Sequence, residues 1–273
     1  MEAKLQNRVQ RYGWDAAAKF YEDGWRSPLS PAQRTLLDLA AFRPGEKVIE
    51  AACGSGLVTK AIARAVGPAG EVLATDIAQN MVDLTEANCA ADGLSWVKTA
   101  RMNADDLAVD EGRFDVAVCA LGLMYVPDPG AAVASMRRAV RAGGRVVATV
   151  WGERRNCGWA EIFPIVDARV QSEVCPLFYA CGAPGALADD FAKAGLTDIA
   201  ERRQKEVLEF VSAEALLTAM LKGGPVALAV KRFTPEVMAE VEQEFLHSVR
   251  DQRAADGRYF IPGEFVTVSG RRQ

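Results

Sequence analysis

Val48-Ile49-Glu50-Ala51-Ala52-Cys53-Gly54-Ser55-Gly56 runs straight into an amphipathic stretch that opens at Leu57. The first residues read as a buried strand. The two glycines let the backbone turn sharply and approach a ligand closely at the amide-rich start of the next helix. Such a loop suits a nucleotide-like ligand, although a tight strand-to-helix turn with no ligand reads the same from Gly-x-Gly alone. Outward from it, apolar runs alternate with helical patterns: Lys47 to Glu50 before a helix over 57–66, Glu71 to Thr75 before 78–90, Phe114 to Ala120 before 129–141, then Arg145 to Trp151. Strands that are continuously apolar belong to a parallel sheet covered on both sides. The expected fold class is therefore α/β, a doubly wound, Rossmann-like sheet with helices on both faces. Asp128-Pro129 supplies a helix cap and first-turn proline, and Gly143-Gly144 is read as that helix's end.

Two further features favour a ligand. Asp76 ends the next apolar strand, twenty residues beyond Gly56, where a doubly wound fold places an acid for ribose hydroxyls. Met102-Asn103-Ala104 closes the third strand region, so that Asn103 could accept from an adenine amino group. A dinucleotide fingerprint would need glycine or alanine at position 59, which is Thr59, and the preceding strand carries Glu50. A carboxylate beside a pyrophosphate is electrostatically poor, whereas beside an ammonium and a sulfonium it is favourable. The contrast points to S-adenosylmethionine rather than NAD.

The stretch from about 46 to 152 resembles class I S-adenosylmethionine-dependent methyltransferases of the ubiquinone/menaquinone-biosynthesis type. Four ordered motifs carry the resemblance: the loop 48–56, Ala74-Thr75-Asp76-Ile77 with Met81 beyond, Asn103-Ala104 with Arg113-Phe114-Asp115-Val116, and Arg141-Ala142-Gly143-Gly144-Arg145. The resemblance implies that Glu50, where aspartate is usual, faces the methionine amino end while Gly54 and Gly56 make room for the cofactor. It implies that Asp76 holds the ribose, Ile77 and Met81 flank the adenine, Asn103 and Ala104 meet its edge, and Ala120-Leu121 touch the methionine part. Ala52 stands where glycine is commoner and Asn103 where aspartate is commoner, which implies tighter packing and weaker adenine pairing. A seven-stranded, mostly parallel sheet with an antiparallel last strand is also implied, and Phe265 to Ser269, after a turn at Pro262-Gly263, fits that strand.

Residues 1–44 are read as an N-terminal helical lid, 45–152 as the cofactor-binding core, and 153–273 as a C-terminal part with helical cap insertions and the last strands. Trp14, Ala18, Tyr21 and Trp25 share one face of the first helix. In the C-terminal part a helix over 187–194, a strand near 204–210, and helices from Ser212 and from Thr234-Pro235 are expected. Methyl transfer is an in-line displacement at an already activated carbon, so the protein chiefly aligns the partners and excludes water, and a base helps where the acceptor must lose a proton. Tyr21, Trp25 and Tyr125 are the substrate-side candidates, with Tyr21 and His247 as candidate catalytic groups. His247, the sole histidine, falls with Glu236, Glu240 and Gln243 on the polar side of its helix.

Thirty-two Lys and Arg against thirty-six Asp and Glu leave a net charge of −4, which provides no basic field for nucleic acid or an anionic membrane. Arg137, Arg138 and Arg141 are read as a solvated helix face. The longest apolar run, Val116 to Val126, is too short to span a bilayer. The first residues build no secretory signal, so the expected setting is cytoplasmic. Six cysteines form no CxxC pair, and Cys157, Cys175 and Cys181 match no zinc spacing, so no metal is expected. The partner expected is a small molecule, with a homodimer left open. The function expected is methyl transfer from S-adenosylmethionine to an oxygen, nitrogen or carbon of that molecule. An NAD(P)-dependent oxidoreductase and a non-catalytic S-adenosylmethionine-binding protein are the alternatives.

Overall fold

The computed structural model describes residues 2–170 and 178–273. Strand and helix alternate as the apolar rhythm requires: β1 (Lys47–Ala51), α2 (Leu57–Val66), β2 (Glu71–Asp76), α3 (Gln79–Ala91), β3 (Val97–Arg101), β4 (Phe114–Ala120), α4 (Pro129–Ala139) and β5 (Val140–Trp151), with α1 (Ala3–Ala40) before them. After β5 come α5 (Ile162–Asp167), α6 (Ala186–Lys193), β6 (Thr197–Phe210), α7 (Ala213–Leu217), α8 (Ala227–Val230), α9 (Pro235–Ser248) and β7 (Tyr259–Arg271). One seven-stranded sheet has the order β3-β2-β1-β4-β5-β7-β6. The first five strands are mutually parallel, and β7 is antiparallel to both neighbours. Adjacent residues of β1 serve opposite faces. Val48 packs with Ile62 and Val66 of α2, while Ile49 joins Val133 and Met136 of α4. That two-sided burial is why these strands read as unbroken apolar runs.

Four expectations are corrected. Helix α4 ends at Ala139, and Gly143-Gly144 lie within β5, where the register jumps from Phe114↔Val140 to Val116↔Arg145. A Cβ on Gly144 would sit 2.8 Å from the carbonyl oxygens of Arg141 and Asp115, so glycine there admits an irregularity in the ladder rather than capping a helix. Strand β6 begins at Thr197, seven residues before the expected start, because an edge strand carries charge instead of an apolar run. Pro262-Gly263 form no turn but continue β7. Pro262 faces Val207 of β6, and pairing with β5 begins only at Phe265, so the missing N–H interrupts no ladder on that side. Finally, Arg138 is not a solvated side chain: its guanidinium donates to the carbonyls of Val109, at 2.9 Å, and Leu107.

Helix α1 crosses the carboxyl end of the sheet. The Asn80 amide N–H donates to Asp15 at 2.9 Å, tying α1 to the start of α3. Gly24 lets α1 lie against a π-turn at Thr218–Lys222, since a Cβ there would come within 2.8 Å of the Ala219 Cβ. That turn leaves carbonyls outside the usual helical pairing. The indole N–H of Trp25 takes two, donating to Ala219 and Gly223 at 3.2 and 3.1 Å. Among the described residues, no helix is long and apolar enough to cross a membrane.

Candidate active site

The carboxyl ends of β1, β2 and β4 open onto a cavity of about 660 Å³, solvent at its mouth included, and α1 closes one side of it. That size suits a nucleoside-bearing ligand, since small-molecule sites run to roughly 300–1,000 Å³. Ala52 and Gly54 from the glycine loop, with Asp76, Ile77 and Met81 from the end of β2 and the start of α3, form its wall. Asn103 and Ala104 follow β3, and Ala120 and Leu121 end β4 on the same wall. Nine residues expected at the cofactor are thus brought together.

Asp76 is 6% exposed, and its carboxylate accepts from the amides of Gly54 at 3.0 Å and Ala78 at 2.9 Å. Burial outweighs those donors and raises its pKa to about 6. The backbone at Ala52 has φ +56°, and at Leu121 +60°, left-handed values that non-glycine residues seldom adopt. Both strained residues touch the cavity, at the ends of neighbouring strands. Gly122 is forced by this arrangement: a Cβ there would lie 2.4 Å from the Ala52 Cβ and 2.7 Å from Cys119 Sγ.

Two expected residues sit behind the wall rather than on it. Gly56 caps α2 at φ +86° and packs on α3, where a Cβ would come 3.1 Å from the Thr85 hydroxyl. Glu50 is 1% exposed, and its Oε2 accepts from the Thr59 hydroxyl at 2.5 Å. Burial pushes its pKa to about 8 against the opposing Thr59 hydrogen bond. Thr59, which spoils a dinucleotide fingerprint, is therefore the residue that holds Glu50 in place.

On the α1 side, Tyr21 lies against Gly54, whose Cβ would be 3.6 Å from the ring. Burial first, then the negative charges of Asp76 and Glu50, raise the Tyr21 phenol far above its ordinary pKa, so the hydroxyl is a donor and not a base. Trp14 bridges Tyr21 and Tyr125 edge-on, with centroids at 5.8 and 5.0 Å. Behind these rings an inner chamber of about 310 Å³, solvent included, shares Trp14, Tyr21, Leu121 and Tyr125 with the outer cavity. Trp25, Trp151 and Trp159 complete much of its wall. Trp25 is thus placed at the inner chamber and Tyr125 at both.

His247 is not brought to either cavity. It is exposed on α9, with Nε2 2.9 Å from Arg250 Nη1. Asn7 and Gln10 line the outer cavity without having been anticipated, as do Met102 and Asp105. The spacing of Asn7, Gln10, Trp14 and Tyr21 puts them on one face of α1, a signal the aromatic stripe alone did not expose. Cys157 and Cys181 are buried free thiols, and Cys175 lies outside the described residues.

These residues fit S-adenosylmethionine. A partly desolvated carboxylate stands at the end of β2, a glycine leaves the loop backbone bare, and a cationic ligand would favour the charged forms of the two buried acids Asp76 and Glu50. Residues 48–144 match a family model described as a methyltransferase domain. Nocamycin O-methyltransferase of Saccharothrix syringae is 32% identical over 222 residues, 75% of this chain and 78% of that protein. A ubiquinone/menaquinone biosynthesis C-methyltransferase of Ralstonia pickettii is 39% identical over 108 residues, 40% of this chain and 44% of that protein. The match to this second relative thus spans less than half of its length. Among solved structures, the YcgJ protein of Bacillus subtilis superposes with a TM-score of 0.63 at 15% identity, over 89% of this chain and 99% of that one, a likeness of fold. The sequence relationship and the glycine loop, read together, leave no room for the nicotinamide alternative: the chain belongs to the class I S-adenosylmethionine-dependent methyltransferases.

Proposed function

We propose that this small-molecule methyltransferase acts on an oxygen atom of an acceptor held in the inner aromatic chamber. The observation that carries the reading is the continuity of that chamber with the Asp76 cavity through Trp14, Tyr21, Leu121 and Tyr125. Oxygen is favoured because the relative matched over three-quarters of the chain is an O-methyltransferase, while the match to the C-methyltransferase is confined to 108 residues.

Bound S-adenosylmethionine supplies a methyl group already activated on a sulfonium. Asp76 would accept from the ribose hydroxyls with the lone pairs its two amide donors leave over. Ile77 and Met81 would flank the adenine, Asn103 and Ala104 would meet its edge, and Ala120 and Leu121 would run along the methionine part. Glu50 would act from beneath the loop, through its charge and through Thr59, on the methionine end. Tyr21 and α1, as the lid, would exclude water from the junction of the two cavities. The C-terminal segment would cover the chamber from the other side through Trp159 and Pro225. A cytoplasmic setting fits the buried free thiols and the net charge of −4.

Calorimetric titration with S-adenosylhomocysteine tests the assignment. The native protein should bind it, and Asp76→Ala should weaken binding tenfold or more, about 1.4 kcal/mol or beyond, with a retained melting transition. No binding by the native protein, or equal binding by the variant, would overturn it.

A further inference from the structure

Among the described residues, the wall of the inner chamber contains no Asp, Glu, Lys, Arg or His. Its polar side chains are four indoles and two phenols. The Trp25 N–H is committed to the carbonyls of Ala219 and Gly223. Trp159 is different: its side chain is 1% exposed, belongs to the same wall, and its Nε1–H has no acceptor among the described residues. Leaving such a buried donor unsatisfied is unfavourable. The ring itself is fixed by its neighbours, with Trp151 at 4.9 Å and Phe178 at 5.9 Å between centroids. A rigid, desolvated N–H on a residue that lines a ligand-sized chamber offers a place for an oxygen of the ligand.

The second observation is what the wall lacks. An ordinary alcohol must shed a proton during methylation, and the chamber has no carboxylate or imidazole to receive it. Tyr21 is held protonated by burial and by Asp76 and Glu50, and so cannot serve. An acceptor that loses its proton to water before entering needs no such group.

We propose, resting on the methyltransferase reading of this site, that the acceptor is a flat conjugated oxygen acid, an acidic enol or a conjugated carboxylic acid. It enters as its anion, and a second oxygen accepts from the Trp159 indole N–H. A lone pair of the anionic oxygen forms the O–CH3 bond as the S–CH3 bond breaks, and the electron pair of the broken bond stays on sulfur. The negative charge on oxygen and the positive charge on sulfur cancel, and no proton moves. Attraction between the two reacting charges is screened least in a dry, low-dielectric chamber, which is what six aromatic rings provide. Those same rings could instead hold an ammonium over their faces, so an amine is the competing occupant and the experiment must separate the two.

The test is calorimetry on the full chain saturated with S-adenosylhomocysteine, titrated with 4-hydroxycoumarin, 4-aminocoumarin, 1-naphthol and dimethylethanolamine, followed by transfer from labelled S-adenosylmethionine. We expect 4-hydroxycoumarin to bind at least tenfold more tightly than either amine and to be methylated on oxygen. Trp159→Phe should weaken 4-hydroxycoumarin about tenfold while leaving S-adenosylhomocysteine, and 1-naphthol with its missing carbonyl, unchanged. Equal or preferred binding or methylation of an amine would overturn the proposal. So would a Trp159→Phe effect shared by all probes, or failure of every probe to bind the loaded protein. Because the native comparison of acid with amine uses no variant, a folding defect in Trp159→Phe leaves the test intact. Failure of S-adenosylhomocysteine itself to bind would sink the methyltransferase reading first, so the two failures are distinguishable.

Discussion

At the scale of single residues, the site stores unfavourable electrostatics that a cationic ligand relieves. Glu50 and Asp76, buried behind and on the cavity wall, have pKa values raised to about 8 and about 6. The folded chain therefore keeps protons that the unfolded chain has released, and stability falls as pH rises from the ordinary carboxylate range through those values. We expect the melting temperature of the ligand-free protein to drop between pH 5 and pH 8.5. Glu50→Gln should flatten that slope and raise the melting temperature at pH 8, yet bind S-adenosylhomocysteine about tenfold more weakly. Thermal melts across the pH range, paired with calorimetry, check both. A variant with an unchanged slope would show that Glu50 is not the titrating group. Much at this scale was legible. Asp76 and Gly54 announced themselves because each ends or follows a strand, and the strand ends were clear. That Glu50 lies behind the wall was not, since the sequence gives its strand but not the depth to which Thr59 pins it.

Among the elements, the junction of β1 and β4 is the tightest. Ala52 holds a left-handed backbone, and Gly122 exists in the space its methyl group leaves. Gly122→Ala should cost about 1–3 kcal/mol by overpacking, read from urea denaturation. Adding Ala52→Gly should recover part of that loss but not all, because the Cys119 sulfur stays 2.7 Å from the new Cβ. Additive, independent effects would show that the two residues do not press on each other. A second junction joins α1 to the π-turn at Thr218–Lys222. Trp25→Phe strands the Ala219 and Gly223 carbonyls and should lower stability by about 1–3 kcal/mol without changing S-adenosylhomocysteine affinity. The amphipathic α2 and capped α4 were legible from local pattern. The ladder irregularity at Gly143-Gly144, the charged start of β6 and the proline inside β7 were not. Each depends on which strands are neighbours and which side of a strand is unpaired, and that is decided only when the sheet assembles.

For the whole molecule, a parallel sheet gathers its carboxyl ends on one rim, and α1 and the segments after β5 close over that rim. The nine cofactor candidates come from four strand ends, β1 to β4; alternation placed those ends on one rim, and the resemblance supplied most of the residues. Trp159 could not be placed, because it joins the chamber from a region without a repeating pattern, whereas Trp151 was legible as a strand end but not as a chamber wall; His247 ended on an outer face as the polar side of α9 requires. Ligand should lock this assembly. At a hundredfold excess over its dissociation constant, S-adenosylhomocysteine should add about 2.7 kcal/mol to unfolding, seen as a raised melting temperature and slower proteolysis within α1. The most direct measurement is a crystal structure of the chain with S-adenosylhomocysteine. The ribose hydroxyls should lie on the Asp76 carboxylate and the sulfur should face the chamber walled by Tyr21, Trp25 and Trp159. A ligand seated elsewhere, or a sulfur turned away from those rings, would contradict the account.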